Sequence, residues 1–254
     1  MIRLSVIIIS LNEERNIRRC LLSVKALADE ILILDSFSTD KTKKIAESYG
    51  ATVIQKQFEG YVAARRDVES RAANDYILAI DADESLSEEL HKSIVELKKN
   101  WIKDGYYVAR KTNYCGRWIN HSGWYPDRKL RLYKRGSGEW TGKYVHEKYM
   151  LFPDKTTGIL KGDMLHYSYY KEKEHWARAD KYANLAAQEL FENGKTTSVF
   201  QTYFKAVVKF MRDYVKNLGF LDGKKGYTIC KITAWGTYKK YAKLLELNKT
   251  RKNS

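Results

Sequence analysis

Tyr76-Ile77-Leu78-Ala79-Ile80-Asp81-Ala82-Asp83-Glu84 is the stretch on which the fold turns. Five apolar residues of strand length stop abruptly at three carboxylates within four positions, the pattern of a buried strand ending on a polar rim. Alternate residues just past a strand end turn two carboxylates toward one spot. Such a pair suits a hard divalent cation, which takes oxygen ligands and keeps phosphate oxygens in its shell. An ion placed there neutralises a departing diphosphate. A bare Asp-x-Asp also reads as a capped strand-to-helix turn, because acidic residues are common ahead of helices.

The flanking sequence repeats the theme. Leu4 to Ser10 is a continuous apolar run followed by Asn12 and Glu13, and Ile31 to Leu34 is a second one ending at Asp35. Ala51 to Gln55 reads as a third strand. Helical spacing fills the gaps: Asn16 to Leu27, a segment capped by Ser38-Thr39-Asp40 and closed at Gly50, Tyr61 to Ala73, and Ser87 to Lys99. This alternation predicts a mainly parallel sheet with helices on both faces. Ligands of such sheets bind beyond the carboxyl ends of the strands, where Asn12, Glu13, Asp35, Asp81 and Asp83 collect. From Gly105 to Tyr169 short strand-like pieces, Tyr106 to Arg110 and Lys129 to Tyr133, alternate with glycine-punctuated loops that carry Trp118, Trp124 and Trp140. From Lys171 the pattern is helical: Glu172 to Asn193, Val199 to Leu218 and Gly226 to Leu247. The expected division is a catalytic α/β domain over 1–170, with halves of about 1–100 and 101–170, and a basic amphipathic helical extension over 171–254.

The net charge of +15 is uneven, since 18 Lys and Arg against 8 Asp and Glu from Lys171 onward leave +10 there and +5 in the first 170 residues. A basic tail on a milder body points to an anionic partner, whether lipid headgroups, lipopolysaccharide phosphates or nucleic acid, and the C-terminal helices either pack their apolar stripes on the catalytic domain or lie on an anionic membrane surface. No stretch approaches the roughly 20 apolar residues of a membrane span. The opening apolar run is short and continues into Asn12-Glu13-Glu14 without a cleavage site, so a strand explains it better than an export signal. The three cysteines are odd in number and far apart, which fits a reducing compartment. A cytoplasmic protein, peripheral on the inner face of the cytoplasmic membrane, is the expectation. A nucleic-acid-binding protein is the alternative that the basic balance raises. It is disfavoured by the absence of a recognised motif and by acidic strand ends that repel phosphate unless metal is bound, so no nucleic acid is expected. Nucleotidyltransferases share the layout but need a glycine-rich loop after the first strand, where this chain reads Ser10-Leu11-Asn12-Glu13-Glu14.

Several motifs in order carry a resemblance: Ser5-Val6-Ile7-Ile8-Ile9-Ser10-Leu11-Asn12-Glu13-Glu14, Leu34-Asp35-Ser36-Phe37-Ser38-Thr39-Asp40, Ile80-Asp81-Ala82-Asp83-Glu84, Gly123 to Tyr133, Val145-His146-Glu147, and Gly219-Phe220-Leu221-Asp222-Gly223. Together they resemble the family 2 glycosyltransferases, and within them the lipopolysaccharide core β-glucosyltransferase group, over nearly the whole chain. The resemblance implies a GT-A fold, a nucleotide-diphosphate sugar donor of the UDP-sugar kind, inversion at the anomeric carbon and a divalent cofactor, Mg or Mn. The implied acceptor is a lipid-linked or oligosaccharide cell-envelope glycan such as lipopolysaccharide core, with polyprenyl phosphate as the alternative.

The same resemblance assigns roles. Asn12, Glu13 and Asp35 would line the nucleoside pocket, and Arg66, of the pair Arg65-Arg66, would face the donor where relatives often carry Lys-Asn. Asp83 is the metal ligand, with Asp81 closer to the ribose or the ion's outer shell. Related folds place a late histidine near the metal or diphosphate, which here is His166, and imidazole can ligate manganese. Glu147 matches the position of the base that deprotonates the acceptor, with His146 as runner-up. Arg128 and Arg131 could grip the donor diphosphate or a phosphorylated acceptor through bidentate contacts, or stand as surface arginines on a strand.

Overall fold

The structure is a computed structural model, and it describes residues 1–142 and 147–252. The chain divides into two compact units, one of residues 1–111 and 127–167, the other of residues 112–126 and 168–254. The expected boundary at residue 170 therefore misses one exchange: the segment 112–126 belongs with the C-terminal helices.

The first unit begins β1 (Leu4–Ser10), α1 (Ile17–Val24), β2 (Glu30–Asp35), α2 (Thr42–Ser48), β3 (Thr52–Gln55), α3 (Tyr61–Ser70) and β4 (Tyr76–Asp81). It continues with β5 (Glu84–Leu86), α4 (Glu88–Lys99) and β6 (Gly105–Tyr114), whose last residues pass into the second unit. After β7 (Arg117–Trp118), which pairs with the end of β6, come β8 (Asp127–Lys134), β9 (Gly138–Thr141), β10 (Lys148–Leu151) and β11 (Thr157–Tyr169). The main sheet runs β3-β2-β1-β4-β8-β6-β11-β5, and β9 and β10 form a separate antiparallel ribbon. Its first four strands are parallel and β8 joins them antiparallel, so the sheet is mixed. This is the α/β arrangement that the alternating pattern predicts, and it agrees with the GT-A fold that the resemblance implies.

Burial of β1 on both faces explains its unbroken apolar run. Its side chains split by period two. Val6 and Ile8 join Ile31, Ile33, Leu78 and Ile80 under α1 and α4, while Ile7 joins Leu32, Leu34, Ile77 and Ala79 under α3. Parallel register then aligns the strand ends, with Ser10 opposite Asp35 and Ile9 opposite Asp81. Ser87 caps α4 by accepting from the Leu90 amide at 3.2 Å, as its position predicts. The predicted cap at Ser38-Thr39-Asp40 works differently. No side chain caps α2 at its N-cap position, Lys41, and Asp40 instead accepts from the Thr42 amide at 2.9 Å.

The second unit contains α5 (Glu172–Glu192), α6 (Val199–Met211) and α7 (Gly223–Lys252). The helix predicted over Val199 to Leu218 is interrupted by a π-helical turn at Arg212–Lys216, and a 3-10 turn at Gly219–Asp222 follows. Asp222 is buried there and accepts from the Asn120 amide at 3.1 Å, the His121 amide at 3.0 Å and the Ser122 hydroxyl at 2.9 Å. Those bonds fasten residues 112–126 to the helices and explain the exchanged segment. Gly226 lets the backbone pass, since a Cβ there would lie 1.9 Å from the Gly219 carbonyl oxygen. Tyr114, Trp124, Tyr169 and His175 form an aromatic cluster, with His175 Nδ1 3.1 Å from the Tyr114 hydroxyl.

Burial, reinforced by Arg178, pushes the His175 imidazole down from 6.5 to about 4. The unfolded chain therefore takes up this proton near pH 6.5 while the folded chain refuses it until about pH 4. Stability is full above pH 6.5 and drains as pH falls through that window, by about 2 kcal/mol between pH 7 and pH 5. Urea unfolding of the wild type and of His175→Phe at both pH values checks this, because the phenylalanine variant should lack that increment.

Candidate active site

The carboxyl end of β4 is built on opposed charges. Asp81 is gripped by two guanidiniums: Arg65 from α3 holds Oδ1, and Arg131 from β8 holds Oδ2 at 2.7 Å. Arg65 is fully buried, also donates to the Ile80 carbonyl at 3.3 Å, and lies 5.2 Å from the Trp140 ring centroid. Arg131 also reaches Glu84 Oε1 at 3.4 Å. Arg110 lies 3.6 Å from the same oxygen and donates to Asp127 Oδ2 at 2.7 Å. Glu84 closes the turn by accepting from the Asp81 amide at 3.0 Å through its other oxygen. Burial raises the Asp127 carboxyl, but Arg110 and Lys129 outweigh it and hold the group below its ordinary range. Burial and the neighbouring Arg131 bring the Arg65 guanidinium down to about 10, against support from Glu147 and Glu84.

A β-bulge aims Arg131. Tyr106 pairs with Leu132 and Tyr107 with Leu130, which leaves Arg131 as the extra residue of β8. Bulges re-aim side chains in this way beside functional sites. Arg131 is thus buried and spent on Asp81 and Glu84, whereas Arg128 is exposed on the same strand. Of the Arg65-Arg66 pair, Arg66 points away from Asp81. It is exposed, and it donates to the Trp140 carbonyl at 2.7 Å and to Glu139 at 3.2 Å. Arg65 faces inward because it shares the buried side of α3 with Ala64 and Val68. That i, i+3 spacing against Val68 is the signal by which the sequence could have distinguished the two arginines.

Asp83 meets His166. Strand β11 runs antiparallel to β5 with His166 opposite Glu84, and the Tyr167 amide donates to the Asp83 carbonyl at 2.9 Å. His166 Nε2 consequently lies 3.2 Å from Asp83 Oδ2. Two donors sharing an octahedral cation at bonds of about 2.1 Å stand about 3 Å apart, so this carboxylate–imidazole pair fits a Mg or Mn ion. No group of three or more His, Cys, Asp or Glu suited to a metal ion occurs among the described residues. Arg19, unmarked in the sequence, stacks its guanidinium 3.7 Å from the Tyr167 ring centroid beside this pair.

The rim over β1 and β2 is a self-bonded loop pair. Asn12, in the left-handed region at φ 55°, accepts from the Thr39 amide at 2.8 Å, and its own amide donates to Ser38 Oγ at 2.8 Å. Glu13 donates from its amide to Thr42 and accepts from Asn16 at 2.7 Å. Asp35 is fully buried, with its oxygens taking bonds from Ser10, the Ser38 amide and hydroxyl, and Gln55. Its carboxylate orders the loop that the nucleoside reading would have it line. Glu147 is half-buried ahead of β10, and His146 lies outside the described residues.

Residues 5–159 match the family model of glycosyl transferase family 2. The chain is 30% identical to an uncharacterized glycosyltransferase of Rickettsia typhi over 264 residues, which cover 100% of this chain and 90% of that protein. It is 29% identical to the lipopolysaccharide core biosynthesis glycosyltransferase LpsC of Rhizobium meliloti, over 94% of this chain and 93% of the relative. Among solved structures, residues 1–349 of Staphylococcus aureus TarS superpose with a TM-score of 0.47 at 14% identity, over 99% of this chain and 91% of that one.

Arg65→Met removes one of the two guanidiniums on Asp81 and leaves Arg131, so it should cost about 1.5–3 kcal/mol in urea unfolding. Arg66→Met breaks only an exposed pair and should cost less than about 1 kcal/mol. Equal losses in the two variants would contradict the inward assignment of Arg65.

Proposed function

The chain belongs to glycosyl transferase family 2, and from that membership we propose that it transfers a sugar from a nucleoside-diphosphate donor, a UDP-sugar, to a cell-envelope glycan of the lipopolysaccharide-core kind. Transfer inverts the anomeric carbon. The observation that carries the donor side is the approach of His166 to Asp83 beside a clamped Asp81.

The chain's residues divide the work. Arg65 and Arg131 neutralise Asp81 and fix the turn that presents Asp83, so the acidic rim does not repel an incoming diphosphate. Asp83 and His166 would hold the cation, and a bound cation would offset the charge gathering on the departing diphosphate. Asn12 and Glu13 meet the nucleoside at the rim, over a loop made rigid by Asp35. Glu147 takes the proton of the acceptor hydroxyl as its oxygen bonds to the anomeric carbon and the carbon–phosphate-oxygen bond breaks on the opposite face. Exposed Arg128 is free to meet a phosphorylated acceptor. The acceptor class rests on the similarity to LpsC along nearly the full length of both chains.

Asp83→Asn preserves shape and removes charge. It should keep the wild-type melting temperature, lose the metal-dependent part of donor binding in calorimetry, and lower turnover by about 10²–10³-fold. Turnover at the wild-type level would remove Asp83 from the donor site. Glu147→Gln should bind the donor nucleotide normally and lose about 10²–10⁴-fold in turnover. Unchanged turnover would assign the base elsewhere, and His146→Ala would be measured next.

A further inference from the structure

The second unit wears its apolar residues on the outside. Of the 22 large hydrophobic side chains exposed among the described residues, 12 fall between Val199 and Tyr227. On α6, Phe200 is 73% exposed, Tyr203 58%, Phe204 55%, Val207 60% and Met211 50%. These positions share one side of the helix at 100° per residue, while Thr202, the buried residue of α6, lies opposite. The band continues past the π turn through Val215, Leu218, Phe220 and Leu221. A patch of this length on a soluble surface marks a contact.

The charges around the band identify the contact. Between Val199 and Tyr227 stand six cations, Lys205, Lys209, Arg212, Lys216, Lys224 and Lys225, and two acids, Asp213 and Asp222. Both acids are 2% exposed. Asp213 is paired inward with Lys209 and Arg212, and Asp222 with the 120–122 amides and hydroxyl. The charge that this region shows to solvent is therefore positive. A second copy of the chain would bring the same cations to the interface and be repelled, whereas an anionic headgroup layer attracts them and accepts the aromatic side chains. No helix among the described residues is long and apolar enough to cross a membrane.

We propose that the outward apolar face of α6, together with the turns that follow it, docks the protein in-plane onto an anionic lipid surface. Phe200, Phe204, Val207 and Met211 enter the headgroup–acyl boundary, and the exposed Lys216 and Lys224 pair with lipid phosphates. Docking is independent of the assignment of the donor site, and it would hold the enzyme on the layer that contains a lipid-linked acceptor.

The test is co-sedimentation of the full chain with vesicles of phosphatidylglycerol and phosphatidylethanolamine, against phosphatidylcholine vesicles, at low and high salt. Binding to the anionic vesicles is expected, weakened at least tenfold by the double variant F200S/F204S and about fivefold for each of K216Q and K224Q. The variants should retain the wild-type circular dichroism, melting temperature and donor-nucleotide binding, which separates a loss of docking from a loss of fold or of the donor site. Failure of the wild type to bind anionic vesicles would overturn the proposal. So would a concentration-dependent dimer in light scattering that F200S/F204S abolishes, since the band would then be a protein interface.

Discussion

Asp81 cannot be left alone at the end of β4. A carboxylate at the mouth of a buried parallel strand is costly without compensation, and here the compensation comes from two guanidiniums that arrive from opposite directions in the sequence. Arg65 must be buried in α3 to reach it, which requires α3 to lie against β4 through Ala64 and Val68. Arg131 must be turned inward by the bulge in β8, which requires β8 to pair with both β4 and β6. The ion cluster therefore couples the parallel strands at the start of the first unit to the strands that follow residue 100.

The same cluster sets the electrostatics of the rim. Asp81, Asp83 and Glu84 would form a repulsive triplet for any phosphate, yet Arg65, Arg110 and Arg131 cancel Asp81 and Glu84 almost group by group. Asp83 faces the His166 imidazole instead, at 3.2 Å.

Much of this was legible in the sequence. Apolar runs of strand length closed by polar residues located β1, β2, β3 and β4, and helical spacing located their partners, because those signals are local. What escaped is non-local. β5 is three residues long, and its partner lies about eighty positions later, so nothing around Glu84-Ser85-Leu86 announces a strand. Within Arg65-Arg66 the inward residue is marked by its i, i+3 spacing from Val68, a signal that carries weight only once α3 is seen packed on the sheet. Arg131 read as a surface or phosphate-binding group because a bulge cannot be seen in a single chain. Asp35 read as an open acceptor, and its bonds to Ser10, Ser38 and Gln55 come from three separate segments. The motif Gly219 to Gly223 marked a place and not a purpose; the structure gives Asp222 the task of anchoring residues 120–122.

The antiparallel seam between β5 and β11 has a consequence during synthesis. A ribosome that has released the first 150 residues has made Asp83 but not His166, and β11 is missing from its place between β6 and β5. Until that strand emerges, β6 keeps an open hydrogen-bonding edge and β5, which packs on α1, has no strand partner. The contact between Asp83 and His166 therefore waits for β11 to close the seam between β6 and β5.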